Sequence, residues 1–204
     1  MITIIDYGLG NIRAFHTVFE RLKVPVKIAG SAHEMKDATK LILPGVGAFD
    51  YAMSKLNASG MREVLDDKVL NEKIPVLGIC VGMQMLAKSS EEGVLPGLGW
   101  IDAEVKRFDF AASAETLQLP HMGWNTIQPE PTSLLMEGLA PESRFYFLHS
   151  YYFVNNQVSE CIATTSYGLT FCSAVQRTNI YGVQFHPEKS HSNGMKLLHN
   201  FAKL

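Results

Sequence analysis

The chain has 204 residues, 47% of them hydrophobic, with 18 Lys and Arg against 20 Asp and Glu and a formal charge of −2. That length fits one domain, residues 1–204, able to bury a real core. The balanced charge excludes the basic face that nucleic-acid binding requires. No apolar run approaches the roughly 20 residues of a membrane span, and no signal-peptide pattern opens the sequence. A soluble, cytoplasmic protein without membrane contact is therefore expected.

In chain order, Met1–Ile5 is a short apolar run ending at Asp6, followed by the turn Gly8-Leu9-Gly10-Asn11. Ile12, Phe15, Val18, Phe19 and Leu22 recur at helical spacing. Val24–Ala29 predicts a second strand, a polar helix-like stretch starts at Ser31, and Leu41-Ile42-Leu43 stops at Pro44. Met61–Leu70 is again helical, and Pro75–Ile79 is a compact strand running into Cys80. Short apolar strands alternating with helices predict an α/β fold, a mostly parallel sheet flanked by helices. The second half differs. Trp100–Phe108, Trp124–Gln128, Arg144–Val154, Cys161–Thr165, Thr170–Gln176 and Ile180–Phe185 read as closely spaced strands. They predict an antiparallel portion added to the parallel sheet. Ser190 to Leu204 closes the chain as a helix.

Three cysteines, Cys80, Cys161 and Cys172, are too few for a disulfide scaffold and contain no C-x-x-C pair. Cys161 and Cys172 sit in strand-like runs and read as small core residues. Cys80 is different. Gly78-Ile79-Cys80-Val81-Gly82 lies between a strand and the helix-forming Met83-Gln84-Met85-Leu86-Ala87, the pattern of a nucleophile elbow. There the sulfur sits at the carboxyl edge of the sheet, near a helix N-terminus whose partial positive charge favours thiolate. The flanking glycines weigh against a merely structural cysteine.

A nucleophilic thiol needs a base, and the base an orienting group. Val183-Gln184-Phe185-His186-Pro187-Glu188 offers both: a strand delivers His186, Pro187 halts it, and Glu188 is placed to reach back to the imidazole. Leu43-Pro44-Gly45-Val46-Gly47 ends a strand with bare backbone N–H groups. Val46 there, and Val81 just after the nucleophile, are the expected oxyanion donors. The glycines at 45 and 47 allow a peptide plane to rotate, so bulkier residues there should alter regulation more than folding.

These segments together resemble the class I (triad) glutamine amidotransferases, and within them the glutaminase subunits of imidazole glycerol phosphate synthase. The narrower likeness also rests on Asp6-Tyr7-Gly8-Leu9-Gly10-Asn11, Pro120-His121-Met122-Gly123-Trp124-Asn125, Phe145-Tyr146-Phe147-Leu148-His149-Ser150-Tyr151 and Phe185-His186-Pro187-Glu188-Lys189-Ser190. The resemblance implies a flavodoxin-like fold and a Cys80–His186–Glu188 triad that needs no metal or organic cofactor. It implies that Gly47, Gln84, Ser150 and Tyr151 bind L-glutamine. It also implies that Trp124, Asn125 and Lys189 face a (β/α)₈-barrel synthase (cyclase) subunit in a heterodimer, which receives the ammonia and makes imidazole glycerol phosphate and aminoimidazole carboxamide ribotide. Relatives supplying ammonia for nucleotide-sugar amination share the same chemistry, and the sequence leaves that destination open.

Overall fold

A computed structural model describes residues 1–110 and 117–204. Four short strands begin the chain: β1 (Ile2–Ile5), β2 (Val26–Ala29), β3 (Leu41–Gly45) and β4 (Val76–Cys80). Each is parallel to its neighbours, in the order β2-β1-β3-β4, and β12 (Ile180–Val183) extends the parallel set beyond β4. Every residue of β1, β3, β4 and β12 is buried, as strands covered on both faces must be. Helix α1 (Ile12–Arg21) covers the sheet with Phe15 and Phe19, and α2 (Phe49–Ala58) does so with Phe49, Ala52, Met53 and Leu56. Helix α3 (Arg62–Asp66) continues as a wider turn over Asp67–Asn71.

Beyond β12 the sheet turns antiparallel: β11 (Leu169–Arg177), β10 (Cys161–Tyr167), β7 (His121–Pro129) and β8 (Ser143–His149) follow in that order. A branch of β5 (Ser89–Ser90), β6 (Ala103–Arg107) and β9 (Tyr151–Asn155) joins at β11. Helix α4 is Val81–Gln84 and α5 is His191–Lys203. A parallel set flanked by helices with an antiparallel portion added is the architecture the sequence predicts, although the antiparallel portion is as extensive as the parallel one.

Three local expectations need correction, and one helix has no counterpart among them. The stretch from Ser31 forms one 3₁₀ turn, His33–Met35, rather than a helix. Its start signal is real, since Ser31 Oγ accepts from the Glu34 N–H and Glu34 Oε2 from the Gly30 N–H, but no apolar stripe follows to sustain further turns. Helix α2 goes unannounced in the sequence, having no capping side chain to mark its start. The run 144–154 breaks at Ser150, where the chain leaves β7 as a partner and joins β6 and β11. Finally, Cys161 and Cys172 are not separate core residues. The β10–β11 hairpin brings their Cα atoms to 5.8 Å and the sulfurs are joined as a disulfide.

Candidate active site

Parallel register places the carboxyl ends of β3, β4 and β12 side by side. Gly45 lies opposite Cys80, and Val183 opposite Ile79, three residues before His186. This is the sheet edge at which open α/β folds bind ligands. Cys80 turns the corner between β4 and α4 with φ 55° and ψ −114°, a conformation that L-residues rarely adopt and that costs of order 1–3 kcal/mol. Backbone packing holds it there. A Cβ on Gly82 would lie 2.0 Å from the Leu43 carbonyl oxygen, and one on Gly45 2.2 Å from the Gly82 nitrogen. Any side chain at either position pushes β3 and the elbow apart. Gly45 is thus a packing residue, contrary to the expectation that enlarging it spares the fold. Gly47 differs: its φ is +84°, but space around a Cβ is open.

His186 and Glu188 meet as the order of residues suggested. The imidazole Nδ1–H donates to Glu188 Oε1 at 2.9 Å, with both side chains buried. Burial alone would lower the pKa of His186, but hydrogen bonds to Cys80 and Glu188 and their negative charge outweigh it and raise it to about 10. Helix α4, by contrast, is a single turn ending at Gln84, too short for much macrodipole. The positive charge beside the Cys80 sulfur is therefore that of the His186 imidazolium rather than of the helix.

A cleft of about 320 Å³ opens over the sulfur. Val46, Gly47, Val81, Gln84, Ser150, Tyr151 and Lys189 line it, together with Cys80 and His186. All of the expected substrate and oxyanion positions are brought to one place. Glu188 lies behind the imidazole, beyond the cleft wall. Of the expected partner residues, Trp124 is 39% exposed and stacks on His191 at 5.1 Å. The Lys189 ammonium stands 5.4 Å over the Tyr146 ring. Strand register pairs Trp124 with Tyr146 and Met122 with Leu148, so exposed apolar side chains form one strip. Asn125 does not join it. Its amide turns inward, donating to the Ser166 carbonyl at 2.9 Å and meeting His121 Nε2 at 3.2 Å.

Sequence reasoning missed three groups. Glu92 lines the cleft and accepts from the Phe49 N–H at 2.8 Å, with burial raising its pKa, the Phe49 bond lowering it and Asp50 raising it, to a net rise. Gln184 is fully buried and its amide donates to Cys80 Sγ at 3.8 Å. The period-2 alternation of a strand puts it on the same side as His186, a signal available in the sequence. Tyr7, in the first turn, donates to the Pro44 carbonyl at 2.7 Å and pins the strand that carries Val46.

The family model described as glutamine amidotransferase class-I matches residues 3–204. The imidazole glycerol phosphate synthase subunit HisH of Bdellovibrio bacteriovorus is 56% identical over the whole of both chains. The subunit of the same name from Leptospira interrogans is 52% identical, again over the whole of both. Among solved structures, one described as a glutamine amidotransferase superposes with a TM-score of 0.74. It is 19% identical, over 100% of this chain and 99% of that one, which speaks to fold alone.

Proposed function

We infer that this chain, which belongs to the class-I glutamine amidotransferase family, is the glutaminase subunit of an imidazole glycerol phosphate synthase. Its site works as follows. The Cys80 thiolate attacks the side-chain amide carbon of L-glutamine, and the oxyanion that forms is held by the N–H groups of Val46 and Val81. The C–N bond breaks as the His186 imidazolium gives its Nε2 proton to the departing nitrogen, releasing ammonia and leaving a γ-glutamyl thioester. Water then attacks the thioester while neutral His186 takes its proton. Glutamate leaves and the thiolate–imidazolium pair is restored. Glu188 keeps Nδ1 protonated throughout. Glu92 is the carboxylate in the cleft suited to the substrate α-ammonium. Gly47, Gln84, Ser150 and Tyr151 surround the rest of the amino-acid end. None of these steps calls for a metal or an organic cofactor.

The single observation that carries this reading is a strained, backbone-locked Cys80 sharing one cleft with a His186 whose charge Glu188 supports. The names of the relatives support the destination: ammonia passes to a partner synthase subunit in histidine biosynthesis. Neither of the two relatives is named for nucleotide-sugar amination. A (β/α)₈-barrel partner, docking on the Met122–Trp124–Tyr146–Leu148 strip with Lys189 beside it, completes the proposal. The biosynthetic role supports a cytoplasmic location. The test is glutamate release from glutamine, with and without the synthase subunit, for wild type and Cys80→Ala. Activity that survives in Cys80→Ala rejects the site.

A further inference from the structure

Two histidines outside the triad form a chain that glutamine hydrolysis by the triad does not use. His121, at the start of β7, and His149, at the end of β8, face each other across the strand pair, 3% and 5% exposed. His121 Nδ1 lies 3.0 Å from His149 Nε2, and His149 Nδ1 lies 2.7 Å from the Tyr151 carbonyl oxygen. A carbonyl can only accept, so His149 carries its proton on Nδ1 and receives one from His121 on Nε2. The other end gives the same answer independently. Asn125 Oδ1 accepts from the Thr126 N–H at 2.8 Å, so the Asn125 amide nitrogen points to His121 Nε2 and donates to it. Donation therefore runs one way: Asn125 to His121, His121 to His149, His149 to the Tyr151 carbonyl.

That carbonyl is shared. Gln84 Nε2 donates to it at 3.1 Å and to Gln184 Oε1 at 3.0 Å, and Gln184 in turn donates to Cys80 Sγ. The chain thus runs unbroken from Asn125, beside the exposed Trp124, to the nucleophile. Aromatic packing keeps both rings in place: His121 stacks on Tyr167 at 4.0 Å and on Phe147 at 4.8 Å, and His149 meets Phe108 and Phe171, each at 5.3 Å. Burial lowers the pKa of His121 to about 4. Burial, with smaller effects from its neighbours, lowers that of His149 to about 3. Each ring is then neutral at physiological pH, as a fixed donor–acceptor order requires.

We propose that His121 and His149 are positioning residues of the glutamine site, setting the Tyr151 carbonyl and the Gln84 amide and tying both to Trp124 and Asn125 in β7. The proposal rests on the glutaminase reading for its kinetic consequence but not for its structural one, and the test separates the two. His121→Phe, His149→Phe and His149→Asn keep a planar or small side chain in each site. In the first two the ring stacking stays while the hydrogen bonds go. In the third, the Asn amide can still donate to Tyr151, but the acceptor for His121 is lost. The first measurement is the NMR shift of the Gln84 side-chain amide in the chain alone. It moves in His149→Phe and also in His121→Phe, although residue 121 does not touch Gln84. An unmoved signal in His121→Phe overturns the chain, whether or not glutamine is hydrolysed. The second is glutaminase kinetics with the synthase subunit. His149→Phe raises KM for glutamine about five- to tenfold, the worth of one or two neutral hydrogen bonds, while kcat changes less. His149→Asn restores KM but not the full stimulation by the partner. Unchanged KM in His149→Phe with only a lower Tm reduces the pair to scaffolding and rejects the proposal. If wild type releases no glutamate, the function fails, and the amide shift alone decides the pair.

Discussion

The parallel edge and the antiparallel half of this molecule use the same side chain in opposite ways. At the parallel edge, His186 is held charged by Cys80 and Glu188 against the cost of burial. In the antiparallel half, His121 and His149 have no carboxylate among their hydrogen-bond partners in the described residues, and burial keeps them neutral. The mechanical support differs as well. The elbow is locked by backbone against backbone, at distances that admit no added atom. The β7–β8 face is held by side-chain hydrogen bonds and ends in exposed Met122, Trp124 and Leu148. The charged, rigid centre is the one proposed to carry out bond breaking. A neutral hydrogen-bonded network, packed between aromatic rings, lies beside it and reaches the exposed face.

The largest effect comes from removing the centre itself. Cys80→Ala should abolish glutaminase activity, a loss of about 10⁴-fold or more by analogy with other nucleophile deletions, while synthesis from ammonium salts continues. His186→Ala should lose nearly as much, because thiolate formation and leaving-group protonation both run through it. Glu188→Gln should lose less than His186→Ala. Steady-state assays with glutamine and with ammonium check all three, and a greater loss at Glu188 than at His186 contradicts this division of labour in the triad.

Next in size is the difference between the isolated chain and the complex. Gain or loss of one oxyanion donor is worth about 10²–10³ in rate. Val46 sits exposed beside Gly47, whose φ is +84° and where a Cβ would meet nothing within 4 Å. The isolated chain is expected to release glutamate slowly and to speed up by that order when a ligand-bound synthase subunit docks. Full activity in the isolated chain removes the need for a Val46 switch and leaves the triad untouched.

The two regions were not equally legible in the sequence. The elbow and the His186-Pro187-Glu188 turn are local, each written in a few consecutive residues, so pattern alone reveals them. Tyr7, Glu92, His121 and His149 come from separate parts of the chain and acquire their roles only through long-range packing, which periodicity does not specify. The same limit applies to the fold. Strands of four or five buried residues stand out as apolar runs, whereas the break at Ser150 depends on which strand each half pairs with. Helix α2 carries apolar residues at helical spacing but lacks a capping residue, and the Ser31 start signal lacks the spacing. Each segment carries only half of the signal that marks a helix.

A smaller effect sharpens the contrast within the rigid region. Gly45→Ala forces a Cβ to 2.2 Å from the Gly82 nitrogen and should cost at least the upper end of the roughly 1–3 kcal/mol typical of overpacking. Gly47→Ala meets nothing within 4 Å and should cost only the strain of its positive φ, about 1–2 kcal/mol. Thermal or urea unfolding measures both. Equal losses would mean that the elbow can yield where its backbone packs most tightly.

The smallest expected effect tests the charge contrast directly, through the pH dependence of stability. His186 has an ordinary value near 6.5 when unfolded and about 10 when folded, so the native state binds its proton more tightly. Its contribution to stability is fully present below pH 6.5 and is lost as pH rises through about 10. Glu188→Gln keeps a hydrogen-bond acceptor but removes the charge, so it takes away part of that contribution. The gap in Tm between wild type and Glu188→Gln should be widest near pH 6 and close as pH approaches 10. His121 gives the opposite sign, because its folded value of about 4 lies below the unfolded one. Its burial as a neutral ring costs nothing above pH 6.5 and destabilises the fold as pH falls below it. His121→Phe should therefore gain on wild type between pH 6.5 and pH 4 and run parallel to it at higher pH. Melting curves at pH 4.5, 6, 8 and 10 distinguish the two histidines. Parallel curves for wild type and Glu188→Gln over the whole range would mean that His186 is neutral in the native state, with no charge for Glu188 to support.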